Sequence, residues 1–445
     1  MNSNLTPPAT PAALPARTSK ALLWLLIFGY VPFLLAHGVE AWSRPAVDFP
    51  PIYSATKVAF DQHRSPYGPD AFEAQALALG RAVPPYIYPP PSLLLFFPLH
   101  LFNYDNAKAF MLVVNHLCFL FATVFLFRNV YREDFARAPN QLTAGLVLIY
   151  ILLFDPAVVT LHLGQVNLLL LVCVCLTWNA LKRNAGAFAI AIPLSLAIVI
   201  KTYPVLLLPL LVFRRRYKAA AFTIGLYGLY CIASYFLLPH ELWPDWITKV
   251  APQGTEPHAG PWNQNIRAFV ARALMPNPFC QPLIELPGLA KPLIMLLSLP
   301  VFGATLWASF LSARRSDSPR TIDLEMSVTL LMIFLIAPVS WEHHFVYLLP
   351  ALVLVLLMLF SGEIRGQWRW ITALSLCLIA WRLPFTAPWL TKGFWTLGIS
   401  IKFYPAVALW IFFLLQTLRL GRSDSSDGRS AGEAALAHPQ LAPTH

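Results

Sequence analysis

Apolar runs long enough to cross a lipid bilayer recur along nearly the whole chain, and they restrict it to a bundle of membrane helices. About 20 consecutive apolar residues span the hydrocarbon core. Such stretches cover approximately 21–43, 106–128, 141–161, 165–182, 184–201, 217–238, 289–312, 324–339, 344–360, 367–383 and 394–418. Two shorter runs, 91–101 and 203–213, each supply about half a crossing. Hydrophobic residues are 57% of the 445 and charged residues only 12%, against roughly a quarter charged in an ordinary soluble domain. The expected fold is therefore all-α: a polytopic membrane protein with about 12 transmembrane helices.

The flanks read differently. Residues 1–20, "MNSNLTPPATPAALPARTSK", are rich in Pro, Ala and Thr and are expected to be disordered, as is the low-complexity tail 419–445. The run from Ala21 to Trp42 is too long for the apolar region of a signal peptide and lacks a small-residue cleavage site, so it counts as the first span. The six cysteines lie mostly inside apolar runs, where Cys behaves as a small hydrophobe. Cys173 and Cys175 point to different sides of one expected helix. Neither a disulfide nor a metal ligand is assigned.

The net charge of +11 does not indicate a nucleic-acid partner, because the basic residues form short clusters between apolar runs. Cytoplasmic loops are enriched in Lys and Arg. If 203–213 completes a crossing broken near Lys201–Pro204 and 91–101 only dips into the outer leaflet, the clusters at Arg128/Arg132/Arg137, Lys182/Arg183, Arg214–Arg216, Arg314/Arg315/Arg320 and Arg365/Arg369 all fall inside. Both termini are then cytoplasmic. The loops 44–88 and 239–288, with "LHLGQVN" (161–167) and "SWEHH" (340–344), face outward.

Polar residues gather in those outer segments. In "AVDFPPIYSATKVAFDQHRSPYG" (46–68), Asp48 precedes "FPPIY", which is expected to be non-helical at its prolines. "YSATKVAFDQH" then reads as an amphipathic helix lying along the membrane surface, Ile52, Ala55, Val58 and Ala59 on one side. A carboxylate held at the membrane boundary suits a general base for a hydroxyl, and equally a helix N-cap. In "PPYIYPPPSLLLFFPL" (84–99), Tyr86 and Tyr88 suit contact with a sugar or lipid headgroup, or interfacial anchoring. The amides of Gln165 and Asn167 suit capping or hydroxyl binding. Lys201 in "IVIKTYPVLLLPLL" is costly at membrane depth and calls for a cavity, a phosphate or a salt-bridge partner; Pro204 breaks the helix beside it. "NQNIRAFVAR" reads as a short helix capped by Asn263, with Arg267 one turn along. The adjacent His343 and His344 lack the i,i+4 spacing of a metal pair on a helix, and suit hydrogen bonding to a substrate or phosphate.

These motifs, in this order, resemble glycosyltransferase family 87, whose members have the GT-C architecture. The matching pieces are "DFPPIYSATKVAFDQHRSPYG", "YIYPPPSLLLFFPL", "LHLGQVNLLLLVCVCLTW", "AIVIKTYPVLLLPLLVFRRR", "NQNIRAFVAR" and "APVSWEHHFVYLLPAL", between about residues 20 and 415. The resemblance implies an integral membrane glycosyltransferase domain over 21–418, in the inner membrane of a bacterium. It would use a polyprenyl-phosphate sugar, mannose by analogy, and a lipid or glycan acceptor. It also implies that Asp48 is the catalytic base of an inverting displacement. Lys201, Arg267, His343 and His344 would bind the donor phosphate. Tyr53, Tyr88, Gln165, Asn167, Asn263, Gln264, Trp341 and Glu342 would contact sugar or acceptor. No cofactor is implied, and the "FPPIY" prolines and Glu342 depart from the family pattern. A retaining mechanism would need a second carboxylate close by, as in glycosidases; only Asp61 and Glu342 offer one. The competing reading is a transporter or flippase of lipid-linked sugars, which would place polar groups near the bilayer midplane, commonly within internal repeats.

Overall fold

A computed structural model describes residues 16–68, 79–80, 83–137 and 141–436. The disorder expected of 1–20 and 419–445 lies outside the described residues for 1–15 and 437–445. Among the described residues every regular element is helical. Five helices are long and apolar enough to cross a membrane: Tyr104–Val130, Leu142–Leu163, Tyr217–Leu237, Pro287–Arg315 and Glu342–Phe360. A sixth results if Gly393–Ser400 and Phe403–Arg419, bent by 52°, form one span. Shorter apolar helices cover Pro91–Leu101, Asn167–Lys182, Ala187–Ile200 and Tyr203–Phe213.

The pattern of exposure is that of a multi-pass membrane protein. Leu229, Ile232, Phe236, Leu296 and Leu299 face outward from two of the long helices, which water would penalise and lipid favours. The helix Pro319–Ile336 is buried at every position from Thr321 to Leu335 and forms the axis of the bundle. Phe334 near its end meets Phe345 with ring centres 4.2 Å apart.

Helix Asn167–Lys182 is about 22 Å long at 1.5 Å per residue, and its two ends differ in chemistry. At its Lys182 end the basic clusters meet acidic partners. Lys182 donates to Asp323 at 2.7 Å, Arg214 to Glu325 at 2.6 Å and Asp317 at 2.8 Å, and Arg320 to Glu363 at 2.6 Å. A cavity of about 210 Å³ opens there between Asp134, Lys182, Arg320, Asp323 and Glu363. The Asn167 end carries the segments that the sequence reading placed outside.

Two expectations about the first outer segment are corrected. The helix begins at Phe49 and includes Pro50 and Pro51, running to Phe60. Proline is tolerated in a first turn because its missing N–H would have no intrahelical partner there. Nor does this helix float on a membrane surface: both its faces are covered, with Phe49–Thr56, Val58 and Ala59 all buried. The short helix after "NQN" spans Ile266–Leu274 and is capped by Asn265, whose side chain accepts from Ala268 N–H at 2.9 Å, and not by Asn263.

A single glycine joins the first outer segment to the bundle. Helix Asp155–Leu163 ends at Gly164 with φ +68°, ψ 32°, a left-handed conformation that costs a residue with a Cβ about 1–2 kcal/mol. A Cβ at Gly164 would also lie 2.7 Å from Phe49 Cβ and 3.4 Å from Ala46 Cβ. This close approach lets Asp48 N–H reach the Leu163 carbonyl at 3.1 Å. Gly164→Ala is therefore expected to destabilise the protein by about 1–3 kcal/mol, read as a lowered thermal midpoint in detergent; an unchanged midpoint would show that the contact is dispensable.

Candidate active site

Asp48 stands at the N-cap position of helix Phe49–Phe60, yet its side chain makes no capping bond. Instead its Oδ2 accepts a hydrogen bond from Gln165 Nε2 at 2.9 Å. Gln165 Oε1 in turn accepts from the Tyr88 hydroxyl at 2.9 Å. Gln165 therefore does not cap the helix that begins two residues later. It faces the carboxylate because Gly164 turns the chain back over the first outer segment.

Lys201 enters from another direction. Helix Ala187–Ile200 stops at Lys201, whose backbone is extended. Its ammonium lies 5.9 Å from the centre of the Tyr88 ring and donates to His344 Nε2 at 2.7 Å. An ammonium has no lone pair to offer, so Nε2 is the acceptor and the neutral ring carries its proton on Nδ1. His343 and His344 pack edge to face, ring centres 4.8 Å apart, at the start of the 3₁₀ helix Glu342–Leu348. The His343 carbonyl accepts from Thr160 Oγ1 at 3.4 Å and Asn167 Nδ2 at 3.5 Å. Asn167 and His343 are thus tied to the cluster through backbone, and His343 Nε2 is buried without a partner among the described residues.

Asp48, Tyr88, Gln165, Asn167, Lys201, His343 and His344, drawn from five separate motifs, form one connected polar cluster. Its electrostatics suit a base. Burial raises the Asp48 pKa, and the Gln165 hydrogen bond and the Lys201 charge pull it back without cancelling the rise. A carboxylate so placed holds a proton more readily than an ordinary Asp, while the nearby ammonium keeps the ionised form accessible.

Other sequence-assigned residues are engaged elsewhere. Tyr53 turns its hydroxyl to the Phe102 carbonyl at 3.0 Å and its ring to Tyr104. Asn263 donates to His258 O at 3.0 Å and accepts from Ser340 N–H at 2.8 Å. Gln264, fully buried, donates to Pro261 O and Ile399 O and accepts from the N–H groups of Lys402 and Phe403. Both amides fasten the long loop to the bundle with their polar atoms committed to backbone. Arg267 reaches the Gly254 carbonyl at 3.2 Å. Trp341 packs against His258, ring centres 5.1 Å apart. Asp61 is paired with Lys57 at 2.9 Å and His100 at 2.8 Å, at the other end of the helix from Asp48.

Glu342 is held in a buried ion pair with Lys402, a residue that the sequence reading overlooked. The signal was present. Ile200-Lys201-Thr202-Tyr203-Pro204 and Ile401-Lys402-Phe403-Tyr404-Pro405 share the pattern I-K-x-Y-P, each at a helix break, and both lysines reach the "WEHH" turn. Removing one partner of a buried pair leaves an uncompensated charge, at a cost of about 3–5 kcal/mol. Glu342→Gln should therefore lower the thermal midpoint sharply, and Glu342→Leu combined with Lys402→Met should recover most of the loss. A stable Glu342→Gln would return Glu342 to the ligand-binding candidates.

Comparisons with known proteins converge on one group. The family description "Glycosyltransferase family 87" matches residues 86–338, more than half of the chain. One relative is a polyprenol-phosphate-mannose-dependent alpha-(1-2)-phosphatidylinositol pentamannoside mannosyltransferase of Mycobacterium tuberculosis (strain CDC 1551 / Oshkosh), 24% identical over 322 residues, covering 71% of this chain and 68% of the relative. A protein of the same description from Mycolicibacterium smegmatis is 25% identical over 344 residues, covering 75% and 76%. A polyprenol-phosphate-mannose-dependent alpha-(1-2)-phosphatidylinositol mannoside mannosyltransferase of Mycobacterium tuberculosis (strain ATCC 25618 / H37Rv) is 24% identical over 363 residues, covering 78% of each chain.

Proposed function

The chain belongs to glycosyltransferase family 87, and from that premise we propose that it transfers mannose from polyprenyl-phosphate mannose to a hydroxyl of a lipid or glycan, with Asp48 as general base. The observation that carries this reading is the Asp48–Gln165 hydrogen bond of 2.9 Å inside a cluster that also holds Lys201 and His344. The acceptor hydroxyl gives its proton to Asp48 as its oxygen attacks the anomeric carbon. The bond from that carbon to the phosphate oxygen breaks on the opposite face, and polyprenyl phosphate departs with the electron pair. One displacement inverts the centre, so a β-linked donor yields an α-linked product.

Charge developing on the leaving phosphate needs a fixed positive partner, commonly the largest contribution to catalysis. Lys201 fills that role, steadied by His344, with His343 Nε2 as a further donor when protonated there. Arg267 stays in the proposal only as a phosphate contact from the long loop, and Trp341 only as an acceptor contact. We read the long, short and bent helices, apart from Pro91–Leu101, together with Ala16–Ser43, Pro319–Ile336 and Gln367–Ala380 as about twelve crossings of GT-C type. The basic clusters would lie on the cytoplasmic side and the Asp48 end on the outer face of a bacterial inner membrane. The polar residues support transfer over transport: they form layers at the two ends of helix Asn167–Lys182, where a transporter would concentrate them at the midplane.

Four measurements test the assignment. Purified protein supplied with radiolabelled polyprenyl-phosphate mannose and a membrane lipid extract should show transfer, and Asp48→Asn should lower it by about 10²–10⁴-fold, the usual contribution of a general base. The same variant should keep or raise the thermal midpoint at neutral pH. A carboxylate whose folded pKa is raised favours its neutral form, so its stabilising contribution is lost as pH rises through that pKa. Full transfer by Asp48→Asn would remove it as the base. The acid limb of the wild-type rate profile should lie above the ordinary Asp range, because the base works only when ionised; a limb at an ordinary Asp pKa would count against the buried geometry. Lys201→Ala should weaken donor binding, read by labelled-donor retention, and undiminished retention would exclude the phosphate contact.

A further inference from the structure

His37, Glu40 and His162 bring three metal-ligating atoms within 4.8 Å of one another. Glu40 Oε2 lies 3.3 Å from His162 Nε2 and 3.6 Å from His37 Nδ1. Two features indicate that these atoms are arranged for an occupant. His162 is 92% buried by its 8% exposure, yet its Nε2 has no hydrogen-bond partner, and neither has His37 Nδ1. Buried nitrogens that meet only a carboxylate contact, with no aligned hydrogen bond, are costly unless something else satisfies them.

We propose that this trio is a binding site for a divalent first-row transition metal, with zinc as the best fit. Zinc bound by imidazole nitrogen at about 2.0–2.1 Å and carboxylate oxygen at about 2.0–2.2 Å in a tetrahedron sets its ligand atoms about 3.3–3.6 Å apart. The two separations from Glu40 Oε2 match that edge. Imidazole ligands disfavour calcium and magnesium, which take oxygen. Glu40 also has the outer support expected of a metal ligand. Its other oxygen, Oε1, accepts from Arg44 Nε at 3.0 Å, which fixes the carboxylate with Oε2 turned to the histidines. Arg44 adds a positive charge that a cation must tolerate, and it does so bound to the oxygen away from the metal. His37 and Glu40 are partly exposed, which gives an entry path and leaves a fourth position for water.

The metal would clamp the end of helix Ala16–Ser43 to the end of helix Asp155–Leu163. From the first of these the chain runs on to Asp48, and from the second to Gln165. No i,i+4 pair or cysteine marks this site in the sequence. The ligands are instead an i,i+3 pair and a histidine more than a hundred residues away. The site stands whether or not Asp48 is the base, so its test uses metal content and stability, with no transfer assay.

The full chain, purified in detergent without chelator and loaded with zinc chloride, should retain about one zinc per chain after gel filtration. The variant His240→Gln, in a different loop, should retain the same amount. Glu40→Gln, His37→Gln and His162→Gln should each lose most of it. Chelator should lower the wild-type thermal midpoint, and zinc should restore it. Wild-type protein that retains no zinc and does not respond to chelator would overturn the proposal, leaving an ion-pair cluster only. Full retention by all three ligand variants would overturn it as well. If His162→Gln fails to fold, the chelator response of the wild type and the zinc content of His37→Gln decide.

Discussion

A carboxylate placed inside a protein needs donors that arrive from elsewhere in the chain, and here the first donor is Gln165. The 2.9 Å bond between Gln165 Nε2 and Asp48 Oδ2 depends on a backbone contact alongside it, Asp48 N–H to the Leu163 carbonyl. That contact depends on Gly164 having no side chain. Two segments more than a hundred residues apart are thereby locked in register at one end of the bundle. Tyr88, Lys201 and the two histidines surround that position.

The bundle separates its charges by function. At the Lys182 end, each of Asp323, Glu325 and Glu363 is matched by a Lys or Arg, so those charges hold helices together and set which end is basic. At the other end the matches are incomplete. Lys201 meets a neutral imidazole, His343 keeps an unpartnered nitrogen, and Asp48 is held by an amide. Incomplete pairing of this kind leaves polar atoms for a ligand, the usual mark of a site. Glu342 and Lys402, in the same region, show the contrast: fully paired and buried, they brace the turn that presents the histidines.

The two I-K-x-Y-P stretches give this end its shape. Each interrupts an apolar run with a lysine and a proline, so the helix stops and backbone groups are freed, which is tolerated only where they face protein or water. Both interruptions converge on the "WEHH" turn from different sides. One lysine ends on a histidine and the other on a glutamate, which gives a single structural device two different outcomes.

Composition and run length by themselves determined that the chain is a helical membrane bundle, because no soluble core can absorb so many crossing-length apolar stretches. The clustering of Lys and Arg fixed which loops group together. The motifs marked Asp48, Lys201, Gln165 and the histidines as out of place in so apolar a chain, since charge and amide at helix ends need a reason. What each residue touches was decided only by tertiary structure. Asn263 and Gln264 look like ligand-binding amides in the sequence, but loop backbone claims their hydrogen bonds. Tyr53 sits five residues from Asp48 and still faces away, because helical rotation sends its hydroxyl to Phe102. The His37–Glu40–His162 trio is invisible in one dimension, for it exists only where two helix ends meet. Sequence carries the cost of placing a polar group in a membrane protein, and the fold decides which partner meets that cost.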